Sequence, residues 1–253
     1  MAHRLAGVAR LAACLLLALA STPLAAQISD NSFLVEEAYN QEAGVVQHIS
    51  FYTHDFRGAD WLSTFTQEWP WGGVEHQLSY TLTSLRADQA TGAGDTLLNY
   101  RWQAVGDGNA KLAVSPRFSL SLPTGSRKRG LGAGAVGAQV MLPVSTVLTE
   151  SLVAHWNAGG LFFPSRGERA WTAAQSFVWL ARPRFNVLVE SVWTRTEGHG
   201  EADSNVVVSP GIRWSYDRPS GLQVVPGIAV PFTTYGEGGN SVILYLSFEH
   251  PFR

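Results

Sequence analysis

Two pairs of side chains could carry nucleophilic chemistry in this chain: His48 with Ser50, and His76 with Ser79. A nucleophilic serine needs a base within hydrogen-bond reach and a third group that orients the base. Near neighbours on an extended chain do not converge in that way, and neither pair sits in a recognisable nucleophile motif. The seven histidines do not cluster with metal-ligand spacing, so neither a metal nor another cofactor is expected. The stretch PTGSRKRGLGAG (123–134) lacks the spacing of a phosphate-binding loop and reads as solvated. What remains is a dispersed polar set: Glu75, Asp95, Asn99, Arg101, Lys111, Arg117, His155, Glu190, Arg213 and Glu249. Its chemistry is charge pairing, and no catalytic residue is assigned.

Those residues share a position in a pattern. In KLAVSPRFSLSLPTG (111–125), Leu112, Val114, Phe118, Leu120 and Leu122 fall on one parity, and Lys111, Ser115, Arg117, Ser119 and Ser121 on the other. A strand sends alternate side chains to opposite faces. The pattern returns over 45–53, 61–69, 74–85, 95–104, 136–142, 148–158, 171–180, 185–194, 206–216, 222–232 and 242–252. Most of these segments reach the length, about 9–11 residues, that a tilted strand needs to cross a bilayer. The fold expected is a transmembrane, antiparallel, up-and-down β-barrel of about twelve strands. Connections such as PWGG, PVST and ARPR read as short periplasmic turns. RADQATGAG, GGLFFPSRGER and TEGHGEADS read as longer outer loops. The polar set falls on the inward parity and is expected to form a lumen-facing network. In the first segment, 45–53, Val45, Ile49 and Phe51 are expected outward, with His48, Ser50 and Tyr52 inward. Segment 171–180 alternates poorly, and Pro116, Pro210 and Pro226 fall inside strands, where each removes a ladder donor.

Composition agrees. Charged residues are 15% of the chain, against roughly 25% in soluble domains, while aromatics are 11% with nine Trp. The formal net charge of -2 gives no reason to expect a nucleic-acid partner. At the N-terminus, Arg4 and Arg10 precede the apolar run LAACLLLALA (11–20), which is too short to span. This reads as a secretory signal with two competing cleavage sites, after Ala18-Leu19-Ala20 and after Leu24-Ala25-Ala26. The second is preferred because Pro23 breaks the helix ahead of it, so that the signal is expected to end at residue 26. The lone cysteine, Cys14, lies inside the signal, so disulfides, thiol catalysis and Cys-bound metals are excluded from the mature chain.

Residues 27–43 do not alternate. One reading is a periplasmic lead-in, the default for a polar terminus. The other is a plug folded into the barrel, in which Glu36, Glu37 and Glu42 meet Arg101, Lys111, Arg117 and Arg213. Inside a low-dielectric lumen such pairs are screened less than in water. Partial occlusion of the lumen from the periplasmic side is the expectation carried forward. The barrel proper is expected over 44–253, with the C-terminal strand read by the barrel assembly machinery, although Arg253 displaces the usual terminal aromatic by one.

Three stretches, FLVEEAYNQEAGVVQH (33–48), QEWPWGGVEHQLSYT (67–81) and SPRFSLSLPTG (115–125), resemble the outer-membrane transporter family named for the meta-pathway of phenol degradation. The resemblance implies a barrel in the outer membrane of a Gram-negative bacterium, surrounded by lipid, that passes or binds small, apolar or aromatic solutes. It supplies no catalytic residue. The alternative is a barrel that does not transport, either structural or a lipid-modifying enzyme.

Overall fold

Twelve antiparallel strands close into a barrel in the computed structural model, which describes residues 31–252. The expected signal peptide (1–26) lies outside the described residues. The strands are β1 Val45–Asp55, β2 Trp61–Pro70, β3 His76–Ala87, β4 Ala90–Ala93 with Thr96–Trp102, β5 Leu112–Val114 with Arg117–Leu122, and β6 Gly137–Thr149. Then follow β7 Leu152–Phe163, β8 Glu168–Arg182, β9 Phe185–Gly198, β10 Glu201–Trp214 (continued by Tyr216–Asp217), β11 Gln223–Ala229 with Phe232–Tyr235, and β12 Ser241–Pro251. Each strand pairs with its sequence neighbour. The cylinder is shut by β1 on β12, in register from Val45↔Pro251 to Asp55↔Ser241. Closure removes both sheet edges, so every strand finds ladder partners on two sides.

The outer face carries the alternation that the sequence predicts. Leu98, Phe118, Leu120, Val140, Val189 and Leu244 are all more than 40% exposed, as side chains facing lipid must be in an isolated barrel. Near the rim that holds Val45 and Pro251, aromatic groups gather on the outside. His76 Nδ1 lies 2.8 Å from the Tyr100 hydroxyl and its ring stacks on Tyr100, with Trp71 beside it. Rings with a polar edge suit a membrane–water interface.

Several expectations need correction. The parity of β1 is reversed: Gln47, Ile49 and Phe51 face the lumen, while His48 and Tyr52 stack with outer-face neighbours, on Phe65 and His250 and against Trp61 respectively. Ile49 and Phe51 are apolar yet inward because the lumen holds an apolar cluster against which they pack. The proposed turn at 143–146 is strand: β6 runs on to Thr149 and turns at Glu150-Ser151. Connection length does not distinguish the two rims either. The stretch RADQATGAG is mostly strand around a two-residue turn, Asp88-Gln89, with φ of +47° and +70°. Residues 159–163 and 194–204 likewise extend β7, β9 and β10. These strands, with β8, have 12 to 15 residues, longer than a crossing requires, so they overhang the rim distal to the termini. Beyond the membrane both faces meet water, and the lipid-driven alternation lapses. Of the three strand prolines, Pro116 alone coincides with a break, between the two halves of β5, and Pro210 and Pro226 continue their strands.

Arginine at Leu120, on the lipid face of β5, is expected to destabilise the barrel by about 2–4 kcal/mol. Arginine at Thr64, which shares the luminal face of β2 with Thr66 and Glu68, should cost far less. Folding titrations into liposomes measure both, and equal penalties would contradict the assignment of faces.

Candidate functional site

The site is the lumen where residues 31–41 cross it. The segment is non-β and has no ladder neighbour, so its backbone groups must find partners elsewhere. They find them on side chains of the wall. The N–H groups of Phe33, Leu34 and Val35 all donate to Glu190 Oε1 on β9, at 3.0, 2.7 and 3.0 Å. Asn157 on β7 accepts from Glu36 N–H (2.7 Å) and donates back to Glu36 C=O (2.8 Å). Gln103, just past β4, accepts from Asn40 N–H (2.8 Å) and donates to Ala38 C=O (2.7 Å). Each of these carboxamides stands in for a neighbouring strand, offering one acceptor and one donor. Ser145 Oγ takes Ala38 N–H at 2.8 Å, and Gln77 takes Gln41 N–H at 2.7 Å. Arg101 donates to Tyr39 C=O at 2.8 Å, and Arg213 to Asn31 C=O.

Charge adds to this. Glu36 pairs with Arg117 at 2.8 Å and Arg101 at 3.5 Å, and Glu37 lies 3.7 Å from Arg101. Surface pairs contribute about 0–1 kcal/mol. Arg101 is only 5% exposed, so losing both of these carboxylates together would leave a buried cation poorly compensated, at a cost of about 3–5 kcal/mol.

The opposite sector of the wall is greasy. Phe33 packs into a cluster of Val178, Leu188, Val225, Ala229, Ile243 and Tyr245, meeting the Tyr245 ring edge-on at 5.4 Å. Room for the ring comes from Gly211 and Gly227, where an added Cβ would sit 2.6 and 2.7 Å from it. Val178 and Leu188 face inward to cover Phe33, which is why segment 171–180 alternates so poorly by polarity. Its true register is regular, with Ala174, Ser176 and Val178 in and Ala173, Gln175, Phe177 and Trp179 out.

Of the polar set read from the sequence, Asn99, Arg101, Arg117, His155, Glu190 and Arg213 lie in this lumen, and Glu249 joins it through Gln47 Nε2 (2.6 Å), itself bonded to Gln41 (2.5 Å). Three do not belong. Glu75 sits in the β2–β3 turn with an exposed side chain, and Lys111 is exposed in the turn before β5. Asp95 works at the distal rim, accepting from Gly125 and Ala133 N–H to hold the 123–136 loop. Glu42 of the expected plug contacts is exposed, and it is its carbonyl that receives Val45 N–H as the chain turns into β1. Glu75, Lys111 and Asp95 were misplaced because parity says which way a strand residue points, and none of the three is in a strand. Missed by the sequence reading were Gln47, Glu68, Gln77, Gln103, Ser145 and Asn157 as anchors. Their signal was a carboxamide, carboxylate or hydroxyl on the inward parity near the rim that holds the termini.

The candidate nucleophile pairs are not assembled. His76 faces out, whereas Ser79 is buried within, where its Oγ accepts from Asn99. His48 contacts His250, their Nε2 atoms 3.3 Å apart. A different pair exists, Ser145 Oγ to His155 Nδ1 at 2.7 Å, but that Oγ also receives the Ala38 N–H and so serves to hold the segment.

Beside the segment remains a chamber of about 210 Å³, walled by Phe33 to Glu37 and by β1 to β5 and β12. At the distal rim the overhanging strands enclose a wider recess of about 750 Å³, with Leu161, Phe163 and Ala170 in its lining.

Glu190→Ala removes one acceptor that serves three amides. The amides of Phe33, Leu34 and Val35 are then expected to exchange hydrogen about 100-fold faster, equivalent to about 3 kcal/mol of lost holding energy. Amides within β9 should keep their rates. Unchanged exchange at 33–35 would show that Glu190 does not hold the segment.

No protein-family profile matches this sequence, and no curated protein matches it. Solved structures do resemble its fold. The COG4313 outer membrane channel from Pseudomonas putida F1 superposes with a TM-score of 0.63 at 12% identity, over 85% of this chain and 98% of that one. The NanC porin superposes at 0.55 with 7% identity, over 82% and 99%. The KdgM porin superposes at 0.53 with 9% identity, over 83% and 99%. Identities this low speak for architecture alone: the chain is a closed twelve-stranded barrel similar in fold to these outer-membrane channels and porins.

Proposed function

We propose that the protein is an outer-membrane channel for small, apolar or aromatic solutes, narrowed at its periplasmic end by residues 31–41. The rim that carries Val45 and Pro251 is then periplasmic, and the overhanging strands β7 to β10 face outward. One observation carries the reading. The N-terminal segment is attached to the wall by side chains and not by a β-ladder, and it leaves a chamber beside it. A barrel of eight strands is filled by its own side chains and one of sixteen leaves an open channel. With twelve strands the interior is wide enough to need a filling, and here the N-terminal segment supplies it. The apolar residues of the outer recess, Leu161, Phe163 and Ala170, and those that line the chamber, Phe33, Ile49, Phe51 and Tyr245, offer a solute successive surfaces to leave water for. Ser145 and His155 do not support a lipid-hydrolase reading, since the segment covers the hydroxyl.

Deleting residues 31–42 behind an intact signal is expected to raise single-channel conductance in planar bilayers several-fold, and to sensitise cells to bulky antibiotics. Equal conductance for the deleted and intact barrels would reduce the segment to a lead-in. Absence of conductance from both would favour a non-transporting barrel.

A further inference from the structure

We propose that the chamber beside the N-terminal segment is a binding site for a small organic ammonium ion. The inference rests on reading the lumen as a solute path and names the solute class that the path retains.

Three carboxylates, Glu36, Glu37 and Glu68, line the chamber against two guanidinium groups, Arg101 and Arg117. Both guanidinium groups are paired through their terminal nitrogens, Arg101 with Glu36, Glu37 and the Tyr39 carbonyl and Arg117 with Glu36 and Gln139, and each leaves its Nε without a hydrogen bond. The three carboxylates exceed the guanidinium groups by one, and Glu68 is the one without a direct ion pair. It is 7% exposed and accepts from Gln77 Nε2 at 2.8 Å, while Arg101, already shared with Glu36 and Glu37, acts on it at longer range. Burying an excess carboxylate is costly, and a bound cation would offset that cost. Next to it stands a second unmet group. Asn99 is 6% exposed, its amide nitrogen donates to Ser79, and its Oδ1 has no partner within the protein. The hydroxyls of Thr66 and Thr81 complete this side. Such a wall is rich in acceptors, and an ammonium group brings three donors and a positive charge.

The facing wall is Phe33, Ile49, Phe51 and Tyr245, apolar and aromatic, suited to the carbon body of the same molecule and, at ring faces, to its charge. Size sets the limit. About 210 Å³ corresponds to about seven water molecules at about 30 Å³ each. A single-ring amine such as benzylammonium is of that order.

The test is calorimetric titration of the purified, detergent-solubilised full chain with benzylammonium, benzyl alcohol and benzoate, which share a ring and differ in charge. Benzylammonium should bind at least tenfold more tightly than the other two. Glu68→Gln should weaken it tenfold or more, Glu68→Asp should retain most of the affinity, and Glu168→Gln at the distal rim should change nothing. Equal binding of the alcohol, tighter binding of benzoate, no binding of the amine, or indifference to Glu68→Gln would each overturn the proposal. Heat-modifiable gel mobility checks that each variant is folded. If Glu68→Gln does not fold, the order of the three ligands on the native protein decides alone. A barrel that conducts but does not select the amine would overturn this site and leave the channel reading standing.

Discussion

Everything inside this barrel follows from the need to give a partner to each backbone amide of a segment that has no strand beside it. Seven N–H groups between Phe33 and Gln41 end on wall side chains, three of them on one carboxylate oxygen. Buried and unmade, each would cost about 1–3 kcal/mol. The anchors are therefore spread around the wall wherever the segment passes, on β3, β6, β7 and β9 and just beyond β4. The rest of the lumen is arranged around that path: arginines where the segment carries Glu36 and Glu37, and glycines with aliphatic cover where it carries Phe33.

This division explains why the two faces of the wall were unequally legible. The lipid face imposes one rule on every strand, apolar out, and Leu98, Leu120, Val189 and Leu244 obey it. No such rule governs the luminal face, because it meets two kinds of surface. Opposite the acidic stretch the wall is polar, and Asn99, Arg101 and Arg117 are placed correctly by simple alternation. Opposite Phe33 it is apolar, so Ile49 and Phe51 read as lipid-facing and reverse β1. That inversion could have been avoided only by knowing where the segment lies. Beyond the bilayer a third regime begins. Asp88 and Gln89 turn a hairpin that polarity alone reports as a loop, since water on both sides removes the signal.

Electrostatics and packing divide the labour along the segment. At Glu36 the hold is ionic and responds to salt in proportion to its exposure, which is partial. At Phe33 the hold is shape: two glycines leave a flat bed, and Tyr245 closes over it while supporting Arg213, whose guanidinium carbon is 5.0 Å from the ring centroid. The Phe33 end is thus the less sensitive to ionic conditions. Release in salt would begin near Glu36, with the aromatic anchor still seated.

The reach of these anchors has a consequence for how the molecule comes to be assembled. Asn31 C=O accepts from Arg213, 182 positions along the chain, and Phe33 N–H donates to Glu190, 157 positions along. The segment precedes every strand in the chain, yet it has nowhere to dock until β3 to β10 stand in a curved wall. Contacts of such high sequence separation form late, because the entropy of closing the loop precedes any reward. Docking therefore waits on the strands that carry the anchors, and it shares that delay with the closure of the barrel itself, whose Val45↔Pro251 pairing joins still more distant parts of the chain.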